Sequence, residues 1–105
     1  MKQKLRIYIS VPVSGQEREA RQKADAIMTK LSKEGHIPVN PLNIYAEHNP
    51  TYEDHICYDL RAMLGCDAIL FCKGWEGSCG CSIEHDVAMR FKSHGKKDFK
   101  IMYEE

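Results

Sequence analysis

Short apolar runs alternate with segments of helical period along the whole chain, and this alternation constrains the fold more than any other feature. Leu5 to Ser10 reads as a short buried strand, stopped by Pro12 and Gly15. Glu17 to Glu34 reads as a helix, with Ala20, Ala24, Ile27 and Leu31 at helical spacing and Gly35 placed to cap its end. Ile37 to Asn40 is a brief second strand, ended by Pro41. After a loop, Pro50-Thr51 opens a second helix, with Thr51 as N-cap and Asp54 three residues on. Its apolar stripe is Ile56, Leu60, Met63 and Leu64. Ala68 to Cys72 is a third strand, Lys73 to Gly80 a glycine-rich turn, and a third helix follows from about Cys81. Phe99 to Tyr103 is the last strand.

Strand and helix in strict alternation predict a parallel sheet with right-handed crossovers. The expected fold is α/β: about four parallel strands in the order 2-1-3-4, flanked by three helices, in the flavodoxin/Rossmann-like manner. Ligands of such sheets sit outside the carboxyl ends of the strands, near the point where strand order reverses. Three segments fall there: Ser10 to Gln16, Pro41 to Asn49, and Lys73 to Gly80. Any site is expected to be built from these.

Composition narrows the function. The 105 residues suit one domain spanning the whole chain, and an apolar fraction of 43% allows one modest core. Basic and acidic residues balance at 15 each, which argues against a nucleic-acid binder and against a polybasic membrane anchor. The apolar run after Met1–Lys4 is too short for an export signal or a membrane span, so a cytoplasmic protein is expected. The five cysteines, Cys57, Cys66, Cys72, Cys79 and Cys81, read as reduced thiols. A metal site is the alternative for them, but only Cys79 and Cys81 lie close together, and zinc spacing calls for two such pairs. No phosphate loop and no dinucleotide fingerprint is present, and no cofactor or metal is expected.

Glu84 is the most informative position. Ile83, Val87, Ala88 and Phe91 form an apolar stripe on the third helix, and Glu84 falls inside it. A carboxylate on the inward face needs a partner or a ligand, because unpaired burial of charge is costly. The helix N-terminus favours its ionised form, which suits nucleophilic attack. A capping-box glutamate, folded back on its own helix, explains the same pattern. Asp59 flanks the stripe of the second helix and reaches either the mouth of a site or solvent. Ser78-Cys79-Gly80 leads into the third helix and offers N–H donors and a hydroxyl to an anion; Ser14-Gly15 offers the same from the first strand. Both are also ordinary turn composition. Ser10 ends the first strand beside them and joins the binding set. Tyr8 reads as core. Trp75 in the glycine-rich turn is expected to cover a ring-shaped ligand or to fill an interface. His85 reads as surface.

These segments together resemble a known family. Ile7-Tyr8-Ile9-Ser10-Val11-Pro12-Val13-Ser14-Gly15 is similar to the Tyr-Ile-Ser-Gly-Pro-x-Thr-Gly start of DUF4406 proteins. Gly35-His36 to Asn40-Pro41, Asp59 to Leu64, Cys66-Asp67-Ala68, and Gly74-Trp75-Glu76-x-Ser78-x-Gly80 to Glu84-His85 continue the likeness in order. That family in turn resembles the nucleoside 2-deoxyribosyltransferase superfamily, which includes the 2'-deoxynucleoside 5'-monophosphate N-hydrolases. The resemblance implies that Glu84 is the nucleophile, that Asp59 acts at the nucleobase and that Tyr8 orients Glu84. It also implies that Ser78 and Gly80 hold a 5'-phosphate. Val11 departs from the pattern, standing where the family usually has Gly.

The implied chemistry is double displacement at an anomeric carbon, with a small-molecule nucleoside or nucleotide as substrate. Two other classes fit the same residues: a non-catalytic nucleotide-binding or sensor module, and a thiol or metal protein built on Cys79 and Cys81. A homodimer or larger assembly is expected. The order 2-1-3-4 puts the first helix alone on one sheet face, and the sequence ends at Glu105 with no further helix. Transferases of the superfamily run further and complete a neighbour's site with C-terminal residues.

Overall fold

The computed structural model of the chain describes residues 4–13, 16–41 and 51–105. Strands β1 (Arg6–Ser10), β2 (Ile37–Val39), β3 (Ala68–Phe71) and β4 (Lys100–Tyr103) alternate with helices α1 (Glu17–Lys33), α2 (Tyr52–Leu64) and α3 (Cys79–His94). The four strands form one sheet in the order β2-β1-β3-β4. All three pairings are parallel, with Tyr8 opposite Val39 on one side and Ile69 on the other. The α/β fold and strand order expected from the sequence are those found.

Local chemistry sets the helix ends. Thr51 and Asp54 close a reciprocal capping box at the start of α2: Asp54 N–H donates to Thr51 Oγ1 at 3.1 Å, and Thr51 N–H donates to Asp54 Oδ2 at 3.0 Å. Glu17 and Glu19 in the first turn of α1, and Lys30 and Lys33 in the last, match its dipole. Gly35 follows α1 with φ +92°, a left-handed conformation that a side chain would strain. Two features of the helices differ from the sequence reading. Leu64 is 40% exposed instead of completing the apolar stripe of α2, because it lies a third of a turn round from buried Met63. α3 begins at Cys79, capped by Ser78, and not at Cys81.

Two cores lie on opposite faces of the sheet. Ile7, Ile9 and Ala68 pack with Ala20, Ala24 and Leu31 of α1. Tyr8, Ile69 and Phe71 pack with Met63 of α2 and Ala88 of α3. Alternation along β1 therefore aims Tyr8, and with it Ser10 two residues on, at the face that carries α2 and α3. α1 has its sheet face to itself, and Leu70 and Met102 beside it are only half-buried. No helix among the described residues is long and apolar enough to cross a membrane.

Candidate active site

Order reverses at β1, whose neighbours β2 and β3 are entered by opposite crossovers. A pocket of about 480 Å³ opens beyond the carboxyl ends of these strands. That volume suits a nucleoside-sized molecule. Val11 and Val13, after β1, and Pro41, after β2, give it apolar walls. Ser78, Gly80 and Cys81 contribute the N-terminal end of α3. Tyr8, Asp59 and Glu84, expected to act together, all line it. Ser14 and Gly15 lie outside the described residues.

Glu84 is the centre of the arrangement. Its side of α3 faces the sheet, and the residue is only 5% exposed. Tyr8 Oη–H donates to Glu84 Oε2 at 2.5 Å, and Ser10 Oγ–H donates to Glu84 Oε1 at 2.6 Å. The carboxyl group is thus fixed by two hydroxyls of β1, one on each oxygen. This excludes the capping-box reading: Ser78 is the N-cap of α3, and Cys81 N–H is the group its hydroxyl receives, at 3.3 Å.

Three effects compete at Glu84. Burial disfavours the charged form, the Ser10 and Tyr8 hydroxyls favour it, and the nearby charge of Asp59 disfavours it. Burial wins, and the pKa is pushed up to about 7. The sequence had suggested that the helix N-terminus would hold this carboxylate ionised. Glu84 instead lies in the second turn of α3, where the end charge has faded. The outcome is a carboxyl group poised between its two forms near neutral pH, as acid–base and nucleophilic sites often are.

The N-terminal turn of α3 supplies the other polar end of the pocket. A helix start leaves N–H groups without intrahelical acceptors. Ser78 Oγ takes that of Cys81, and those of Cys79 and Gly80 belong to the set that an anion can take. A Cβ at Gly80 would meet nothing within 4 Å, so its glycine is not required by packing. The turn is tied down from α3: Ser82 Oγ–H lies 3.3 Å from the Glu76 carbonyl oxygen.

Trp75 is not brought to the pocket. It opens a one-turn 3₁₀ helix, Trp75–Gly77, and its indole stacks on His85 at 4.2 Å and 18°. Phe71 and Tyr103 complete that aromatic group, and His85 Nε2 lies 2.7 Å from Tyr103 Oη. His85 is therefore half-buried in this stack, not a plain surface residue. Trp75 serves to hold the turn against β4 from behind the site.

The sequence reading did not place Glu17, Arg21 or His55 at the site, and all three line the pocket. Arg21 lines the pocket from α1, and His55 lines it from α2, one turn before Asp59. The signal for His55 was its four-residue spacing to Asp59 on one helix face. For Arg21 it was a place beside Ala20 at the end of α1 nearest the β1 carboxyl edge. All five cysteines are free thiols; Cys66, Cys72 and Cys81 are buried. Burial pushes the Cys81 thiol up, against the pull of the Ser10 and Ser78 hydroxyls. A thiol so held is a poor nucleophile, which leaves Glu84 as the nucleophile candidate of the pocket.

In comparison with protein families, the family described as a domain of unknown function (DUF4406) matches residues 5–96. No curated protein matches the chain.

Proposed function

The chain belongs to the DUF4406 family, and from its pocket we propose that it acts on the N-glycosidic bond of deoxynucleosides or their 5'-monophosphates, with Glu84 as nucleophile. The observation that carries this reading is the Glu84 carboxyl group, buried, held by Tyr8 and Ser10, and open to a pocket that Asp59 shares. The likeness of the sequence to the nucleoside 2-deoxyribosyltransferase superfamily supports it. In the first step an oxygen of ionised Glu84 attacks C1'. The C1'–N bond breaks, its electron pair passes to the nucleobase nitrogen, and a proton donated on the Asp59 side neutralises the leaving base. Water or a second base then displaces Glu84 from C1', with net retention, as in retaining glycosidases. The α3 N-terminus with Ser78 and Gly80 would receive a 5'-phosphate.

The protein works in this reading as a homodimer or larger assembly. The single helix over one sheet face supports that, as do Met89 and Tyr103, 47% and 49% exposed.

The test is incubation with a panel of deoxynucleosides and 5'-monophosphates, with and without an acceptor base, followed by detection of free base or new nucleoside. Turnover that Glu84→Gln abolishes while ligand binding persists supports the proposal. Binding without turnover in the unaltered protein overturns it in favour of a nucleotide-binding module.

A further inference from the structure

We propose that His55 is the proton donor to the departing nucleobase, with Asp59 as the carboxylate that holds its imidazolium; this rests on the glycosidic reading above. The starting point is an imbalance between the two carboxyl groups of the pocket. For Glu84 to attack, it must be ionised; for Asp59 to act as the acid, it must carry a proton at that same moment. The structure favours the reverse distribution. Glu84 is the more buried of the two, and it is the one whose proton is retained, in part because of the charge on Asp59. When two carboxyls interact, the more deeply buried one keeps the proton. Asp59 is therefore the anion of the pair.

An anion on the base side needs another source for the proton that the leaving base takes. His55 is placed to be that source. It lies four residues before Asp59 on α2, so the two side chains share one helix face about 5–6 Å apart at Cβ, and both line the pocket. An imidazole is the side chain best suited to pass a proton to an acceptor within hydrogen-bond reach. Among the described residues, other groups stand near it. Asp54, the preceding residue on α2, feels its charge and is itself committed to the Thr51 cap. Across the pocket stand Tyr8 of β1, Glu17 and Arg21 of α1, and Cys81 and Glu84 of α3. The Tyr8 hydroxyl is bound to Glu84, and burial holds the Cys81 thiol in its protonated form. An arginine does not release its proton in a protein.

The step balances. A proton leaves an imidazolium nitrogen of His55 for a ring nitrogen of the base as the C1'–N electron pair moves onto that base. A bond from C1' to a Glu84 oxygen forms at the same time. His55 ends neutral beside Asp59 and takes a proton back from water before the next cycle.

The experiment compares His55→Gln with the unaltered protein on two kinds of substrate. One is the panel of deoxynucleosides and their 5'-monophosphates. The other is 4-nitrophenyl 2-deoxyriboside, with or without a 5'-phosphate, whose leaving group departs as an anion and needs no proton. The expected result is a loss of about a hundredfold or more in kcat/KM on the first kind and less than about threefold on the second. The rise in rate on the acid side, which belongs to Glu84, stays in the variant. The nitrophenyl rate also shows that the variant is folded. Equal losses on both substrates overturn the role of His55 and leave the glycosidic reading standing. Absence of turnover in the unaltered protein on every substrate overturns both.

Discussion

Replacing Glu84 with Gln should make the protein more stable at pH 8 and leave it nearly unchanged at pH 5. The amide keeps the size of the carboxyl group and can still serve both partners. Its carbonyl oxygen accepts from Tyr8 Oη–H, and its NH₂ donates to Ser10 Oγ, which has lone pairs to spare. What the substitution removes is the charge. In the folded protein Glu84 titrates at about 7 against an ordinary 4.5, chiefly because it is buried. A raised carboxyl pKa means that the folded state binds more protons than the unfolded one between these two values, so stability falls as pH rises through that window. The contribution is fully present below about 4.5 and lost by the time the pH passes about 7. At about 1.36 kcal/mol per pH unit, the distance from 4.5 to about 7 amounts to about 3 kcal/mol. For a domain of this size that is about 12 °C or more in Tm. Urea unfolding of both proteins at half-unit steps from pH 5 to 8 measures it directly. The two curves should converge at the acid end and separate steadily toward pH 8. A difference that does not change with pH, or a variant less stable throughout, would refute the claim that burial dominates this carboxyl group.

Other perturbations probe the parts around Glu84. Tyr8→Phe removes a hydroxyl that favours the charged form, so the acid limb of the pH–rate profile should move above pH 7; an unmoved limb would show that Tyr8 does not tune the nucleophile. Ser78→Ala should cost about 1 kcal/mol for the lost cap and raise KM for a monophosphate far more than for the free nucleoside, with inorganic phosphate as a competitive probe. Equal changes in the two KM values would argue against an anion at this turn. Glu104 accepts from Lys73 N–H at 2.8 Å and pairs with Lys23 at 2.7 Å. These contacts overcome the upward push of burial and lower its pKa, so the advantage over Glu104→Gln should be present at neutral pH, at most about 1 kcal/mol, and vanish as pH falls through the carboxylate range. Light scattering at micromolar concentration should give a mass above the 12.1 kDa of one chain; a well-folded monomer would mean that α1 and the loops cover their sheet face alone.

The parts of this molecule that could be read from the sequence are those fixed by local period and by chain topology. Ala20, Ala24 and Leu31 mark the buried side of α1, Thr51 and Asp54 mark the start of α2, and the alternation of elements gives a parallel sheet. The position of Glu84 inside an apolar stripe was visible for the same reason. Its protonation was not, because that depends on how tightly β1 closes over the second turn of α3, a long-range fact absent from helical spacing. Trp75 shows the converse error. A lone indole in a glycine-rich turn suggests a ligand, but its partners His85 and Tyr103 come from α3 and β4, 10 and 28 positions away in the sequence.

The order in which β1 presents its residues explains why the site sits where it does. Ile7 and Ile9 are committed to the core under α1, so the residues between and after them, Tyr8 and Ser10, must point to the opposite face. That face is covered by α3, whose inward positions along one stripe are Cys81, Glu84 and Ala88. Ala88 packs with Tyr8 in the sheet-facing cluster, and Glu84, one turn nearer the strand ends, meets the two hydroxyls. A one-residue slip of β1 would turn Tyr8 and Ser10 to the α1 side and leave the Glu84 carboxyl buried against isoleucine without a hydrogen-bond partner. The hydroxyl–carboxyl contacts therefore reinforce the strand register as well as the chemistry. Register and site are set by the same three residues, so a Tyr8→Phe, Ser10→Ala double substitution should weaken folding and activity together, while either single change leaves one donor in place.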